Sequence, residues 1–340
     1  MTGPLVDNGI VDKEGRMSDR LGRRRLRLAA LATVASVASL VLVAGAVAGG
    51  ARQAACDEVV LNENSWTGSS ANVYVLKNVL EKKLKCKVKV LNITEGQPAF
   101  QAMADGKIDV VMEDWGNLAG TPYEKNKSVL NLGSNGITGV IGWYIPRYLL
   151  KQYPQFKTWK GLKGKESVFK SPESGSQGMF LGGDPSYVQK DRALIKGLGL
   201  NLKHVVAGAE PAQVARWSQL YKQRKPVLFY WYDPQYLNAQ YDLVQVKLPP
   251  RFKGCQDDEK KGGDPKKYAC EYPSYRLDKL VSGEFSKSGS PALRVIKKFK
   301  WTSKDQNFVA NLISGKKMPK DKAAAVWVAA NQKTVNSWLK

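Results

Sequence analysis

Three short strand patterns separated by two helical patterns constrain the fold more than any other feature of this sequence. Residues 58–62, 87–93 and 108–112 have the apolar or alternating pattern of strands, and residues 71–84 and 97–105 have the apolar spacing of helices. Strands that alternate with helices are typical of a parallel sheet with helices packed on its faces. The sequence therefore predicts an α/β fold with a doubly wound sheet.

Residues 1–55 have the composition of an export segment. The basic run "RLGRRRLRL" precedes an uncharged Ala/Val/Leu stretch at 29–48, and an A-x-A cleavage site ends at Ala48. Three alternatives stay open: a cleaved signal peptide, a retained anchor long enough to span a bilayer, or a lipid on Cys56. Each predicts an exported protein, located in the periplasm or at the extracellular face of the cytoplasmic membrane.

The four cysteines suit an oxidising compartment. Cys255 and Cys270 flank a polar loop, which a local disulfide would restrain. Cys56 and Cys86 each precede a predicted strand, so in a parallel sheet they lie at the same end and can form a second disulfide. A lipid on Cys56 is the alternative, because "QAAC" has the small residues of a lipobox, but it would leave Cys86 unpaired.

The chain carries a net charge of +23, and its lysines are spread along the whole chain without one lysine-rich block. This distribution favours a soluble basic surface and no nucleic-acid partner, with an adhesion or nucleic-acid-binding protein as the alternative. His204 is the one histidine of the sequence, which argues against serine triads and His-rich zinc sites. We expect a protein that is not an enzyme and that binds no cofactor or metal. A secreted hydrolase using a carboxylate pair, with Glu113 or Asp114 as one acid, is the enzymatic alternative.

Aromatic residues stand at predicted strand ends and strand-to-helix loops, where α/β folds place their ligands. The sites are Trp66 in "NSWTGSS", Trp115 in "MEDWG", Trp143 and Tyr144 in "IGWYIP", and Tyr230, Trp231 and Tyr232 in "LFYWYDP". Core packing is the alternative for each. Several aromatic faces around one point attract a quaternary ammonium, at roughly 0.5–2 kcal/mol per ring. Glu113 or Asp114 would supply counter-charge, and we expect one of the two to face the cleft.

Six segments in a fixed order carry a family resemblance over residues 57–340. They are "NSWTGSSANVYVLKNVLEKKL", "AMADGKIDVVMEDW", "IGWYIPRYLLKQYP", "FLGGDPSYVQKDRALIKGLGL", "KPVLFYWYDPQY" and "AAAVWVAANQKTVNSWL". The chain thereby resembles the extracellular substrate-binding proteins of ABC importers for glycine betaine, proline betaine and choline. The resemblance implies a two-lobed periplasmic-binding-protein fold of type II. Each lobe would be a mostly parallel sheet flanked by helices, and two crossover strands would form the hinge.

The resemblance also implies the lobe boundaries and a ligand site between the lobes. The first lobe would comprise residues 56–139 and 243–340, and the second residues 140–242. Trp115 and Trp231 would form walls of a cation box, joined by Trp66 and by Trp143 or Tyr144. Polar contacts would come from Ser176 and Gln177 in the glycine-rich loop. The helix start at Gly68 and Ser69 would suit the carboxylate of a zwitterion.

Two positions depart from the family pattern. Gln235 stands where many members have a histidine that could bind a carboxylate, and this weakens the case for a betaine. Gly68 stands where choline binders often have an acid, and this weakens the case for choline. The expected function is the capture of a quaternary ammonium osmoprotectant and its delivery to the transmembrane subunit of an ABC permease. Membrane association would come from the N-terminal anchor, a lipid or the permease.

Overall fold

The computed structural model describes residues 56–340, so the predicted export segment lies outside the described part of the chain. Nine strands of this part form one sheet. They are β1 (Val59–Asn62), β2 (Val88–Leu91), β3 (Val110–Asp114), β4 (Val129–Pro146), β5 (Gly178–Gly182), β6 (Leu202–Val206), β7 (Leu228–Asp233), β8 (Leu243–Val246) and β9 (Ser274–Ser282). The strand order is β2-β1-β3-β9-β4-β7-β5-β6, and β8 pairs with β4.

Helices connect the strands and cover the sheet. They are α1 (Thr67–Lys83), α2 (Gln97–Ala104), α3 (Pro122–Lys125), α4 (Leu149–Gln152), α5 (Trp159–Leu162), α6 (Asp191–Leu198), α7 (Glu210–Lys222), α8 (Pro291–Lys298), α9 (Ser303–Ala310), α10 (Lys320–Ala330) and α11 (Gln332–Leu339). From Cys56 to Lys340, none of them has both the length and the apolar character needed to cross a membrane.

The parallel succession predicted from the first three strand patterns is confirmed. β1 lies between β2 and β3 and is parallel to both, with α1 and α2 as the crossover helices. Every residue of β3 is buried, as expected for a parallel strand covered on both faces. A second parallel group consists of β5, β6 and β7. The carboxyl ends of parallel strands are where such sheets place a binding site.

Two long antiparallel strands join the parallel groups into one sheet. β4 pairs with β9 from Val129 to Val140, and with β7 from Val140 to Tyr144. The predicted lobe boundary after residue 139 therefore falls inside β4, where its pairing passes from β9 to β7. The sheets of the two predicted lobes are continuous through these strands. The division into lobes stays a prediction.

Both predicted disulfides are present. Cys56 is joined to Cys86 with their Cα atoms 4.7 Å apart, and Cys255 is joined to Cys270 with a Cα separation of 6.4 Å. The first pair connects the residues that precede β1 and β2, as the parallel arrangement requires. Because the Cys56 sulfur is in this bond, it is not free to carry a thioether-linked lipid.

Replacing both Cys255 and Cys270 with serine is expected to lower the free energy of unfolding by roughly 3 kcal/mol, because the bond closes a loop with a sequence separation of 15. Urea unfolding of the full chain under oxidising conditions measures this loss. As a control, thiol reductant should remove most of the difference between the variant and the parent protein. Equal stability of the two proteins under oxidising conditions would show that the bond does not stabilise the fold.

Candidate ligand-binding site

An aromatic cavity lies at the ends of β3 and β7, beside the start of α1. Its interior is small, about 20 Å³ for a water-sized sphere, because the rings stand close together. Five aromatic, two apolar and two polar residues form its wall. They are Trp66, Trp115, Tyr187, Tyr230, Tyr232, Ile141, Val188, Glu95 and Asn117. Four residues of the aromatic sites indicated by the sequence are thus brought together here: Trp66, Trp115, Tyr230 and Tyr232.

The rings of the cavity contact one another in edge-to-face pairs. Trp66 and Tyr187 have centroids 5.6 Å apart and planes at 88°, and Trp115 and Tyr232 have centroids 5.6 Å apart and planes at 85°. The ring centroids of Tyr187 and Tyr230 are 6.2 Å apart. Each edge-to-face pair joins a residue that precedes β4 in the chain to a residue that follows β4. The aromatic wall is thus built from the parts of the chain before and after β4.

Glu113 holds the two indoles from behind the wall. Its Oε1 accepts a hydrogen bond from Nε1 of Trp66 at 2.7 Å and from Nε1 of Trp115 at 2.9 Å. Its Oε2 accepts from the side-chain amide of Asn72 at 2.7 Å. Burial raises the pKa of Glu113 to about 7, against the lowering effect of the indole hydrogen bonds. Glu113 therefore positions the aromatic rings and is not part of the cavity wall.

Asp114 stabilises the turn that follows β3. Its carboxylate accepts hydrogen bonds from the backbone N–H groups of Gly116, Asn117 and Leu118 at 3.1, 3.2 and 3.4 Å. Burial raises its pKa to about 6. The expectation that Glu113 or Asp114 faces the cleft is therefore wrong. The Glu113 carboxylate binds two indole N–H groups and an amide, and the Asp114 carboxylate binds the backbone of a turn. The carboxylate on the wall belongs to Glu95.

Trp231 lies in the core and not on the cavity wall. Side chains of a strand alternate between its two faces, so Tyr230 and Tyr232 point to the cavity while Trp231 points away from it. Its ring packs 5.1 Å from that of Trp217, and its Nε1 donates to Oδ1 of Asn238 at 2.8 Å. The aromatic wall from β7 thus consists of the two tyrosines that flank the predicted tryptophan.

The aromatic residues predicted in β4 also lie outside the cavity. Trp143 is fully buried, with its ring 4.7 Å from that of Phe180 and its Nε1 donating to Asp191 at 2.7 Å. Tyr144 follows it on the opposite face of the strand, and burial raises its pKa to about 12. The wall residue that β4 contributes is Ile141.

The residues predicted to make polar contacts with a ligand also lie outside the cavity wall. Ser69 accepts a hydrogen bond from the backbone N–H of Asn64 at 3.0 Å, and a Cβ at Gly68 would lie 2.4 Å from the Gln306 amide nitrogen. Ser176 is exposed, and the side chain of Gln177 donates to Asn201 at 3.1 Å. None of these four predicted residues belongs to the wall of the aromatic cavity.

Glu210 occupies the helix start that seemed suited to a ligand carboxylate. Its Oε1 accepts from the backbone N–H of Thr67 at 3.0 Å and from the Thr67 hydroxyl at 2.8 Å. The Tyr232 hydroxyl donates to its Oε2, and the Glu210 backbone N–H donates to the Tyr187 hydroxyl at 3.1 Å. Glu210 thus links α1, α7 and two rings of the cavity wall.

Glu95 is a wall residue that no sequence motif indicated, as are Asn117, Ile141, Tyr187 and Val188. The Ser186 hydroxyl donates to its Oε1, whereas its Oε2 has no hydrogen-bond partner among the described residues. The residue is 6% exposed. Burial raises its pKa, and the Ser186 hydrogen bond opposes that shift. The one sequence signal that could have indicated Glu95 is its position just beyond β2, at the same sheet edge as the end of β3. Within residues 56–340, no cluster of His, Cys, Asp or Glu is arranged to hold a metal.

Comparison with known proteins agrees with this architecture. The family described as the substrate-binding domain of ABC-type glycine betaine transport systems matches residues 57–330. A trimethylamine N-oxide-binding protein of Pelagibacter ubique (strain HTCC1062) is 23% identical over 285 residues, which cover 81% of this chain and 88% of that protein.

Two solved structures show the same fold. The lactococcal OpuAC in its closed-liganded conformation with glycine betaine has a TM-score of 0.62 and 23% identity, covering 84% of this chain and all of that one. An ABC-transporter choline-binding protein in complex with choline has a TM-score of 0.63 and 17% identity, covering 83% of this chain and 91% of that one. The predicted type II periplasmic-binding-protein fold is therefore confirmed.

The match to the family covers most of the chain, from Asp57 to Ala330. The family consists of ligand-binding components of transporters and not of enzymes, in agreement with the prediction of a binding protein. The chain belongs to the family of substrate-binding domains of ABC-type glycine betaine transport systems.

Proposed function

We propose that this protein captures a small methylated ammonium compound in the aromatic cavity and delivers it to the permease of an ABC importer. The observation that carries the proposal is the enclosure of one cavity by the rings of Trp66, Trp115, Tyr187, Tyr230 and Tyr232. A quaternary ammonium has no N–H to donate and is weakly hydrated. It is therefore attracted to aromatic faces, by roughly 0.5–2 kcal/mol per ring.

Hydrogen bonds pre-organise the wall for this task. Glu113 fixes the two indoles, and Glu210 fixes Tyr232 and Tyr187. A ring that is already held loses little conformational freedom when a ligand binds. These four rings are therefore held in place by hydrogen bonds before a ligand binds.

Capture between two lobes is the mode of binding that we infer. Residues 56–139 with 243–340 would form one lobe, and residues 140–242 the other. The Trp66–Tyr187 and Trp115–Tyr232 ring pairs and the Glu210–Thr67 hydrogen bonds all link these two parts. A ligand that contacts rings from both lobes would stabilise their closure. The closed form would then dock on the permease at the extracytoplasmic side, to which residues 1–55 would direct the protein.

Isothermal titration calorimetry of the full chain with glycine betaine, proline betaine and choline tests the proposal. We expect saturable binding of at least one of the three, because each carries a methylated quaternary nitrogen. Ethanolamine is the matched control, since it has a primary ammonium that stays strongly hydrated, and we expect it to bind at least about tenfold more weakly. Absence of binding with all three methylated compounds would contradict the proposed function.

A further inference from the structure

We propose that Glu95 selects the ligand: it favours a methylated ammonium whose second polar group donates a hydrogen bond, as the choline hydroxyl does, and it disfavours a zwitterion that ends in a carboxylate. The inference rests on the proposed function and specifies its substrate class. It follows from the charge on the cavity wall, from one free carboxylate oxygen, and from the engagement of the donors around the cavity.

The charge of the wall is the first observation. Of the nine described residues that line the aromatic cavity, Glu95 alone has a carboxylate, and none has a basic side chain. A buried carboxylate attracts a cation and repels an anion more strongly than an exposed one does, because water screens it less. The carboxylate of a betaine would lie within the same small cavity as Glu95 without a basic wall residue to oppose the repulsion.

The free oxygen of Glu95 is the second observation. Ser186 satisfies Oε1, but Oε2 is buried without a hydrogen-bond partner among the described residues. An unsatisfied buried acceptor is unfavourable, and a donor that reaches it gains a charge-assisted hydrogen bond. A ligand hydroxyl can donate this bond, whereas a ligand carboxylate cannot.

Four donors around the aromatic cavity are already engaged. The indole N–H groups of Trp66 and Trp115 both bind Glu113. The Tyr232 hydroxyl donates to Glu210, and the Tyr230 hydroxyl donates to the backbone carbonyl of Val188 at 3.2 Å. The Tyr187 hydroxyl, which accepts from the Glu210 N–H, and the Asn117 amide remain as donors. The wall thus offers a ligand anion two neutral donors beside the Glu95 carboxylate.

Glu95 and Asn117 mark the polar end of the aromatic cavity. Both also line an adjacent, more open cavity, whose other charged residues are Asp184, Asp258, Lys260 and Lys261. A methylated nitrogen among the rings would place its polar tail toward Glu95 and Asn117. Lys260 is the cation through which a betaine carboxylate could still be held, so the test includes this residue.

Calorimetric titration of the full chain with choline and with glycine betaine tests the proposal. The unmodified protein is expected to bind choline at least about tenfold more tightly than glycine betaine. Glu95→Gln keeps the shape and removes the charge, so it is expected to reduce this preference by at least about tenfold, the order expected for loss of one charge-assisted hydrogen bond. Glu58→Gln is the matched control, because it removes the same charge at an exposed position outside the cavity, and it is expected to retain the choline preference.

Two results would overturn the proposal. One is a preference of the unmodified protein for glycine betaine that is lost in Lys260→Gln, which would assign selection to the lysine. The other is an unchanged choline preference in a folded Glu95→Gln variant. The preference of the unmodified protein is decisive even if that variant is unstable. Binding of glycine betaine alone would refute the role of Glu95 and leave the proposed function intact, whereas binding of no methylated ammonium would refute the proposed function itself.

Discussion

Replacing Trp115 with alanine is expected to weaken binding of the methylated ammonium ligand by at least about tenfold. The indole is 7% exposed and supplies one aromatic face of the cavity. Its removal costs a cation–π contact of roughly 0.5–2 kcal/mol and the apolar contact of a large ring. About 1.4 kcal/mol corresponds to a tenfold change in the dissociation constant. Calorimetric titration of the full-length variant measures the loss.

Trp231→Phe is the matched control for that variant. It alters a tryptophan of β7 that packs on Trp217 and does not line the cavity. We expect lower thermal stability and an affinity within about threefold of the parent protein. Gly139→Ala gives a second approach, because the added Cβ would lie 2.3 Å from Cζ3 of Trp115 and displace the indole. Equal affinity losses in Trp115→Ala and Trp231→Phe would contradict the assignment of the wall.

Replacing Glu113 with glutamine is expected to remove a large part of the pH dependence of stability. Burial raises the pKa of Glu113 from 4.5 to about 7, so the folded state holds this proton more tightly than the unfolded state does. The stabilisation is fully present below about pH 4.5 and is lost as the pH rises through 7. The shift corresponds to about 3 kcal/mol, at about 1.4 kcal/mol per pKa unit.

Urea unfolding of both proteins at several pH values between 4.5 and 8 measures this effect. Asp114 and Asp191 also have pKa values raised by burial, so both proteins should lose stability as the pH rises. His204 acts in the opposite sense, because burial lowers its pKa to about 4. The difference between the two curves isolates Glu113, and the glutamine variant should gain relative stability toward pH 8. Asp57→Asn, at an exposed position, controls for net charge. Parallel curves for Glu113→Gln and the parent protein would contradict the prediction.

The fold was predictable because its signals are repeated along the chain. Strand and helix patterns alternate over the first three strands, and the pairing of Cys56 with Cys86 follows from the parallel order of β1 and β2. The site was predictable to the level of strand ends. Trp66 and Trp115 stand just beyond β1 and β3, where the sheet edge concentrates side chains around one point.

The individual wall residues were harder to predict, because they depend on side-chain direction. In "YWY" the alternation of β7 decides whether one tryptophan or two tyrosines face the cavity, and the family resemblance singled out Trp231. Glu113 was predicted to supply counter-charge to the ligand. Its carboxylate instead accepts hydrogen bonds from two indole N–H groups, whose positions depend on the folded structure. Glu95 is a single acid in a loop and belongs to no recurring pattern.

The central claim is that the aromatic cavity recognises a positively charged, methylated nitrogen. Its most direct test is calorimetric titration of the full chain with choline and glycine betaine, each beside the isostere in which a quaternary carbon replaces the nitrogen. Shape and apolar area are nearly equal within each pair, so the difference measures the attraction between the cation and the rings. We expect the charged member of the pair that binds to have an affinity at least about tenfold higher than its neutral isostere. Equal affinity for the charged and neutral members would contradict it.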